Sequence, residues 1–301
     1  MMSSFIDDIK NSFRKKDNSL NQIIFLNVIV FLVVLTTKLV IYLFGYFKML
    51  PGKVLYQEFL SFLALPANIH SFLTRPWTLV TYFFLHDDPF HILFNLLILF
   101  WFGQIIGDMI GSKRITSLYI LGGLMGGIFY LIAYNTIPYL MAKSPNTILL
   151  GASAGANAIV FAAATLVPDY TMFLLFFGAV RLKYIAIAFI AISMAQITSM
   201  NIGGGFAHLG GMLIGYLFIV QLRKGKDWGK PVNTLNTFVQ NLVKKDSNMK
   251  VSYKNTSKGR GKNGHRPSQE EIDVILDKIS QSGYESLSKE EKQKLFHASQ
   301  N

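Results

Sequence analysis

Between about residue 22 and residue 222 the chain is a succession of apolar runs, while both flanks are polar and basic. Hydrocarbon offers no water to free N–H and C=O groups, so such runs form helical spans or chain covered by protein. Ordinary soluble domains carry roughly a quarter charged residues; here 15% of 301 residues are charged and 51% hydrophobic. The pattern therefore reads as an integral membrane protein with polar extensions. The formal net charge of +12 belongs with lipid headgroups and span orientation, not with nucleic acid. With no cysteine in the chain, disulfides, thiolate metal sites and a cysteine nucleophile are excluded.

Residues 1–20 place Phe5, Ile6, Ile9 and Phe13 at helical spacing beside Lys10, Arg14, Lys15 and Lys16. An interfacial helix and a basic tail both fit this cytoplasmic segment. Because this leader is polar and the first apolar run is too long for a signal h-region, no cleavable signal peptide is expected. The membrane domain is expected over 21–222. Its first span runs from about Ile23 to Phe47 and is interrupted by Lys38, which faces neighbouring helices or snorkels. Residues 48–88 are too apolar for a solvated loop and too broken by Pro51, Pro66 and Pro76 for one span, so a partly embedded loop is expected. Further spans follow at about Phe90–Ile110, Ile115–Tyr134, Ile148–Val167, Ile185–Met200 and Phe206–Leu222, with Asn201 to Gly205 as a link before the last. Segment 171–184 is ambiguous and fits an interfacial position. The glycine pairs of the third span suit close helix contact. Lys10 to Lys16, Lys113–Arg114, Arg181/Lys183 and Arg223–Lys224–Lys226 then fall on one face. The positive-inside rule makes that face cytoplasmic and both termini inside, in a cell (inner) membrane.

Beyond the last span, residues 223–265 have the composition of a basic flexible linker. Order is expected again over 266–301. Ser268 with Glu271 forms a capping box, Ile272, Ile275, Leu276 and Ile279 make an apolar stripe, and Gly283 suits the stop. Ser288 with Glu291 opens a second helix. A soluble two-helix hairpin this small calls for a partner surface or a second copy.

Chemistry-bearing residues cluster at the outer ends of the even-numbered spans: His86, His91 and Asn95 at the second, Ser153 at the fourth, His208 at the sixth. With a rise of about 1.5 Å per residue they share one shallow layer. A lone serine between glycines is as much a packing residue as a nucleophile, and intramembrane ionisable groups point to function. Gly151 with Gly155, and Gly211 with Gly215, are expected to form two small-residue faces bringing the fourth and sixth spans together. His91 and Asn95, four apart, share a helix face. Both can donate to a developing oxyanion, and Asn95 could equally be interhelical glue.

The set His86-x4-His91-x3-Asn95, Gly151-x-Ser153 and Ala207-His208-x-x-Gly211-x-x-x-Gly215 resembles the rhomboid intramembrane serine proteases over about residues 20–222. The resemblance implies an all-α, six-transmembrane-helix bundle with a partly embedded first loop and a water-filled cavity opening outward. It implies Ser153 as nucleophile and His208 as general base, a dyad without a carboxylate. His91, Asn95 and the backbone N–H of Ser153 would stabilise the oxyanion, and His86 would be structural. Departures from the family pattern are Ala154 where glycine is common, Asn157 where a tyrosine often stacks on the histidine, and Thr78 after Trp77. The implied substrates are transmembrane segments of membrane proteins, with no cofactor and no metal. The rival class is a catalytically inactive rhomboid-like factor that binds or chaperones membrane proteins. A small-solute transporter is disfavoured because no inverted repeat is evident.

Overall fold

The computed structural model describes residues 18–48, 51–174, 178–198, 201–235 and 268–298. The expectations placed on residues 1–17 and on most of the 223–265 linker lie outside these. The chain divides into two compact units, Met1–Lys245 and Asp246–Asn301.

The first unit is a helical bundle. Helix α1 spans Ser19–Lys48, α2 Gly52–Leu63, α3 Pro89–Ile110, α4 Lys113–Thr136, α5 Ser153–Leu166, α6 Leu182–Ile197 and α7 Ile202–Arg223. Among the described residues four helices, α1, α3, α4 and α7, are long and apolar enough to cross a membrane; α5 and α6 are shorter apolar helices. Fourteen residues give α5 about 21 Å, short of a hydrocarbon core of about 30 Å.

The fourth apolar run, expected to be a helical span over about Ile148–Val167, is therefore helical only from Ser153 to Leu166. Ile148 and Leu149 are extended instead (β2) and pair antiparallel with Leu65–Pro66 (β1) of the first loop. The helix starts only at Ser153 because Gly151 takes φ +124°, a conformation that side-chain-bearing residues rarely adopt. Gly151 donates its N–H to the Tyr82 carbonyl (3.0 Å) and Ala67 to that of Thr147 (2.9 Å), so this irregular backbone keeps its hydrogen bonds inside protein. The link expected at Asn201 to Gly205 is also absent. Asn201 caps α7, its side chain accepting from Gly204 N–H, and the glycines form the first turn.

The first loop is built as a capped, internally bonded structure. Within it, α2 is amphipathic and buries Tyr56 and Leu60. Trp77 Nε1 donates to the Phe62 carbonyl (2.9 Å), Arg75 to that of Ser61 (2.6 Å), and Thr81 to that of Leu63 (2.5 Å). Lys38 of α1 settles between its two expected options by facing protein: its Nζ lies 2.7 Å from Asp87 and 4.9 Å over the Tyr56 ring. The ambiguous 171–184 segment contains a β-hairpin, Thr171–Leu174 (β3) against Gly178–Arg181 (β4).

The centre of the bundle is made of α4, α5 and α7, and small residues decide their approach. A Cβ at Gly211 would collide with the Ala154 carbonyl, one at Gly215 with that of Ala158, and one at Gly126 with the Ala154 side chain. Gly211 and Gly215 thus bring α7 onto α5 as expected, but Gly151 and Gly155 do not complete that interface. Gly151 faces the His91 ring, and a Cβ at Gly155 would meet Tyr119 of α4 at 2.8 Å. The facing residues on α5 are Ala154 and Ala158, because positions four apart stack on one side of a helix.

Residues 224–235, expected to be linker, fold onto the start of α4. Arg114 pairs with Asp227 (3.0 Å), and Ser117 Oγ donates to the Gly229 carbonyl (3.3 Å).

The second unit contains α8, Gln269–Ser282, and α9, Lys289–Ala298, joined by a short 3-10 turn. The expected capping box is formed: Glu271 N–H donates to Ser268 Oγ (3.3 Å) and Ser268 N–H to Glu271 Oε2 (3.0 Å). Glu291 and Ser288 repeat the arrangement. Lys278–Glu291 (2.9 Å) and Lys294–Glu271 (2.7 Å) link the two helices.

Candidate active site

Three stretches of chain meet at the start of α5. Ser153 is its first residue, and the first backbone bond of the helix runs from Ala156 N–H to the Ala152 carbonyl. Ser153 accordingly sits where helix N–H groups lack intrahelical acceptors and the helix dipole is positive. Six residues beyond the start of α7, His208 presents Nε2 at 2.8 Å from Ser153 Oγ.

The third stretch is the entry to α3. Asp88 caps that helix by accepting from His91 N–H (2.8 Å), and Pro89 follows at its first position, where no amide donor is needed. His91 then lies against Gly151, whose missing side chain leaves room for the ring; a Cβ there would stand 2.7 Å from His91 Cε1. Asn95, one turn on, is 5% exposed and holds Nδ2 at 3.2 Å from His86 Nε2.

His86 ties these stretches together. Its Nε2 also accepts the Ala152 N–H (3.3 Å), and a backbone amide can only donate. The ring is therefore the neutral tautomer with its proton on Nδ1. Burial, reinforced by the neighbouring His91, holds this imidazole well below its ordinary value, at about 4, which agrees with a neutral ring. Since Nε2 accepts, the Asn95 atom facing it is the amide nitrogen.

Ser153, His208, His91 and Asn95 all line one cavity of about 390 Å³. The structure thus brings together all four residues singled out for chemistry. It also places Asn157, Ser193 and Gln196 on the cavity wall, which the spacing argument missed. Asn157 donates to the Ser153 carbonyl (2.8 Å), one turn along its own helix. Ser193 Oγ lies 3.4 Å from His208 Nδ1. The signal for Ser193 and Gln196 was two polar residues three apart in the otherwise apolar α6. Among the described residues no His, Asp and Glu group is arranged to hold a metal ion.

A family model described as Rhomboid domain matches residues 73–225, half of the chain and the whole site. The chain belongs to the rhomboid family. A second model, described as a family of unknown function (DUF6576), matches residues 263–301 and covers α8 and α9. Among curated rhomboid relatives, RHOMBOID-like protein 12, mitochondrial, of Arabidopsis thaliana is 35% identical over 164 residues, 50% of this chain and 48% of that protein. Rhomboid-like protein 16, chloroplastic, from the same plant is 27% identical over 52% of each chain. Inactive RHOMBOID-like protein 8 is 34% identical over 33% of this chain and 27% of its own. The chain spans about half the length, or less, of these relatives. Rhomboid membership and four long apolar helices together point to an integral membrane protein.

Proposed function

We propose that this rhomboid is an intramembrane serine endopeptidase acting on peptide bonds in or beside transmembrane segments of membrane proteins. The observation that carries the reading is the 2.8 Å approach of His208 Nε2 to Ser153 Oγ inside a cavity. In the proposed reaction Ser153 Oγ attacks the scissile carbonyl carbon as its proton passes to His208 Nε2. The negative charge on the carbonyl oxygen is met by donors from His91, Asn95 and the N–H of Ser153 at the positive end of α5. His86, by fixing the Asn95 amide nitrogen, leaves that group a further N–H for the oxyanion. The imidazolium then returns its proton to the leaving amine, the C–N bond breaks, and an acyl-enzyme ester remains. Water attacks the ester as His208 takes its proton; the imidazolium then passes that proton to Ser153 Oγ as the ester C–O bond breaks, which frees Ser153 and the new carboxyl end.

A helix hides its carbonyls in its own hydrogen bonds, so the substrate class is transmembrane segments carrying small or helix-destabilising residues near the outer face. In this reading α5 and α6 complete a six-span bundle, α5 being enclosed almost entirely by its neighbours. Both termini lie on the cytoplasmic side of a cell membrane, and α8–α9 form a soluble hairpin that docks a partner or a second copy.

The similarity to a relative named inactive makes a binding or chaperone factor the rival, and the test separates them. Purified protein in liposomes should cleave a reporter span and take up a serine-directed phosphonate at Ser153. Ser153→Ala and His208→Ala should reduce cleavage to background while inserting normally. Cleavage by Ser153→Ala at the parental rate would sink the assignment.

A further inference from the structure

His208 can accept a proton on Nε2 only if Nδ1 carries the other one, and something must hold the ring in that state. Soluble serine proteases use a buried carboxylate for this purpose; none borders His208 among the described residues that line the cavity. The group that does stand at Nδ1 is the Ser193 hydroxyl, 3.4 Å away. Distances of this kind tighten when a reacting complex forms.

The placement of Ser193 is unusual for its helix. From Ile187 to Ile197 every other residue of α6 is exposed or half-exposed, while Ser193 is 1% exposed. A helix that turns apolar side chains outward and buries one hydroxyl has that hydroxyl directed at protein. The helices are also built to let it reach. A Cβ at Gly205 of α7 would lie 2.8 Å from the Ser193 carbonyl and 2.5 Å from Ile197 Cγ1, so the bare Gly205 backbone seats α6 one turn before His208. Packing alone would be met by alanine at 193, since the approach is made through the backbone.

We propose that Ser193 is a positioning residue for the general base: it accepts the His208 Nδ1–H and so fixes the ring tautomer and plane that point Nε2 at Ser153. It does not touch the scissile bond and acts only through His208. In this chain, where Asn157 is turned to the Ser153 carbonyl, the ring is held from the α6 side. This rests on the peptidase reading given above.

Two volume-matched pairs test it in the full-length protein: Ser193 against Ser193→Ala, and Ser193→Thr against Ser193→Val. Phosphonate labelling of Ser153 and steady-state cleavage of the reporter span are both measured, with thermal unfolding as a control. The hydroxyl-bearing member of each pair should label and turn over about tenfold faster, through kcat with KM unchanged and with unfolding temperatures matched within the pair. Equal labelling rates in the Ser/Ala pair would overturn the proposal, as would a loss confined to KM. If the parental protein neither labels nor cleaves, the peptidase reading fails instead; labelling that is normal and indifferent to residue 193 removes only the role of Ser193.

Discussion

Ala154 shows how much one methyl group can decide. Its side chain fills the space left by Gly126, and its carbonyl is the surface on which Gly211 rests. A larger residue has nowhere to go because three backbones already meet there. Ala154→Val should lower stability by roughly 1–3 kcal/mol, the usual cost of overpacking, seen as a reduced unfolding temperature in detergent. Ala154→Gly, restoring the residue common in the family, removes only a methyl group and should cost about 1 kcal/mol or less. Gly215→Ala, which drives a Cβ into the Ala158 carbonyl, belongs with the valine variant. Should Ala154→Val unfold at the parental temperature, the three-backbone contact is not limiting.

Helix ends carry more of the architecture than helix middles. The first-loop turn, the Gly151 turn and the Asp88 cap set where α5 and α3 begin, and those starting points set the distances in the cavity. In the second unit the same device is visible at α9. Lys278, followed by the Ser288 cap, holds the Glu291 carboxyl down at about 2. A carboxylate lowered in the folded state supports folding above its unfolded value of about 4.3, and that support is lost as pH falls from there toward 2. Amide exchange of residues 289–298 should therefore accelerate, relative to intrinsic rates, as pH drops through that window. Glu291→Gln should show faster exchange at neutral pH and little further change on acidification. An unchanged pH response in Glu291→Gln would assign the effect to other carboxyls.

At the scale of the molecule, the first unit does not stop at the end of the last span. Residues 224–235 are fastened to α4 through Asp227 and Gly229, and Arg223 donates to the Thr165 and Leu166 carbonyls at the end of α5. Truncation after Leu235 should leave insertion, unfolding temperature and Ser153 labelling at parental levels. Truncation after Arg223 leaves Arg114 without its partner and should lower the unfolding temperature by a few degrees, in keeping with a partly exposed pair plus one hydrogen bond. Loss of labelling after truncation at Leu235 would show that residues 236–301 take part in the site.

What the sequence determined by itself is the membrane class, the helical content and five polar residues of the site. These depend on composition, on runs of about twenty apolar residues and on motifs that can be read locally. His86, His91, Asn95, Ser153 and His208 were legible because polar residues at span ends are conspicuous against apolar surroundings. Tertiary structure decided where α5 begins, since a positive φ at Gly151 and the pairing of Leu65 with Leu149 are settled by contacts between distant segments. It also decided which small residues face which neighbours. Glycine spacing says that a helix face is flat but not what lies against it. Gly155 turned to Tyr119 while Ala154 and Ala158 received Gly211 and Gly215. Ser193 was hidden for the same reason: a serine in an apolar run gains meaning only when folding brings His208 against it.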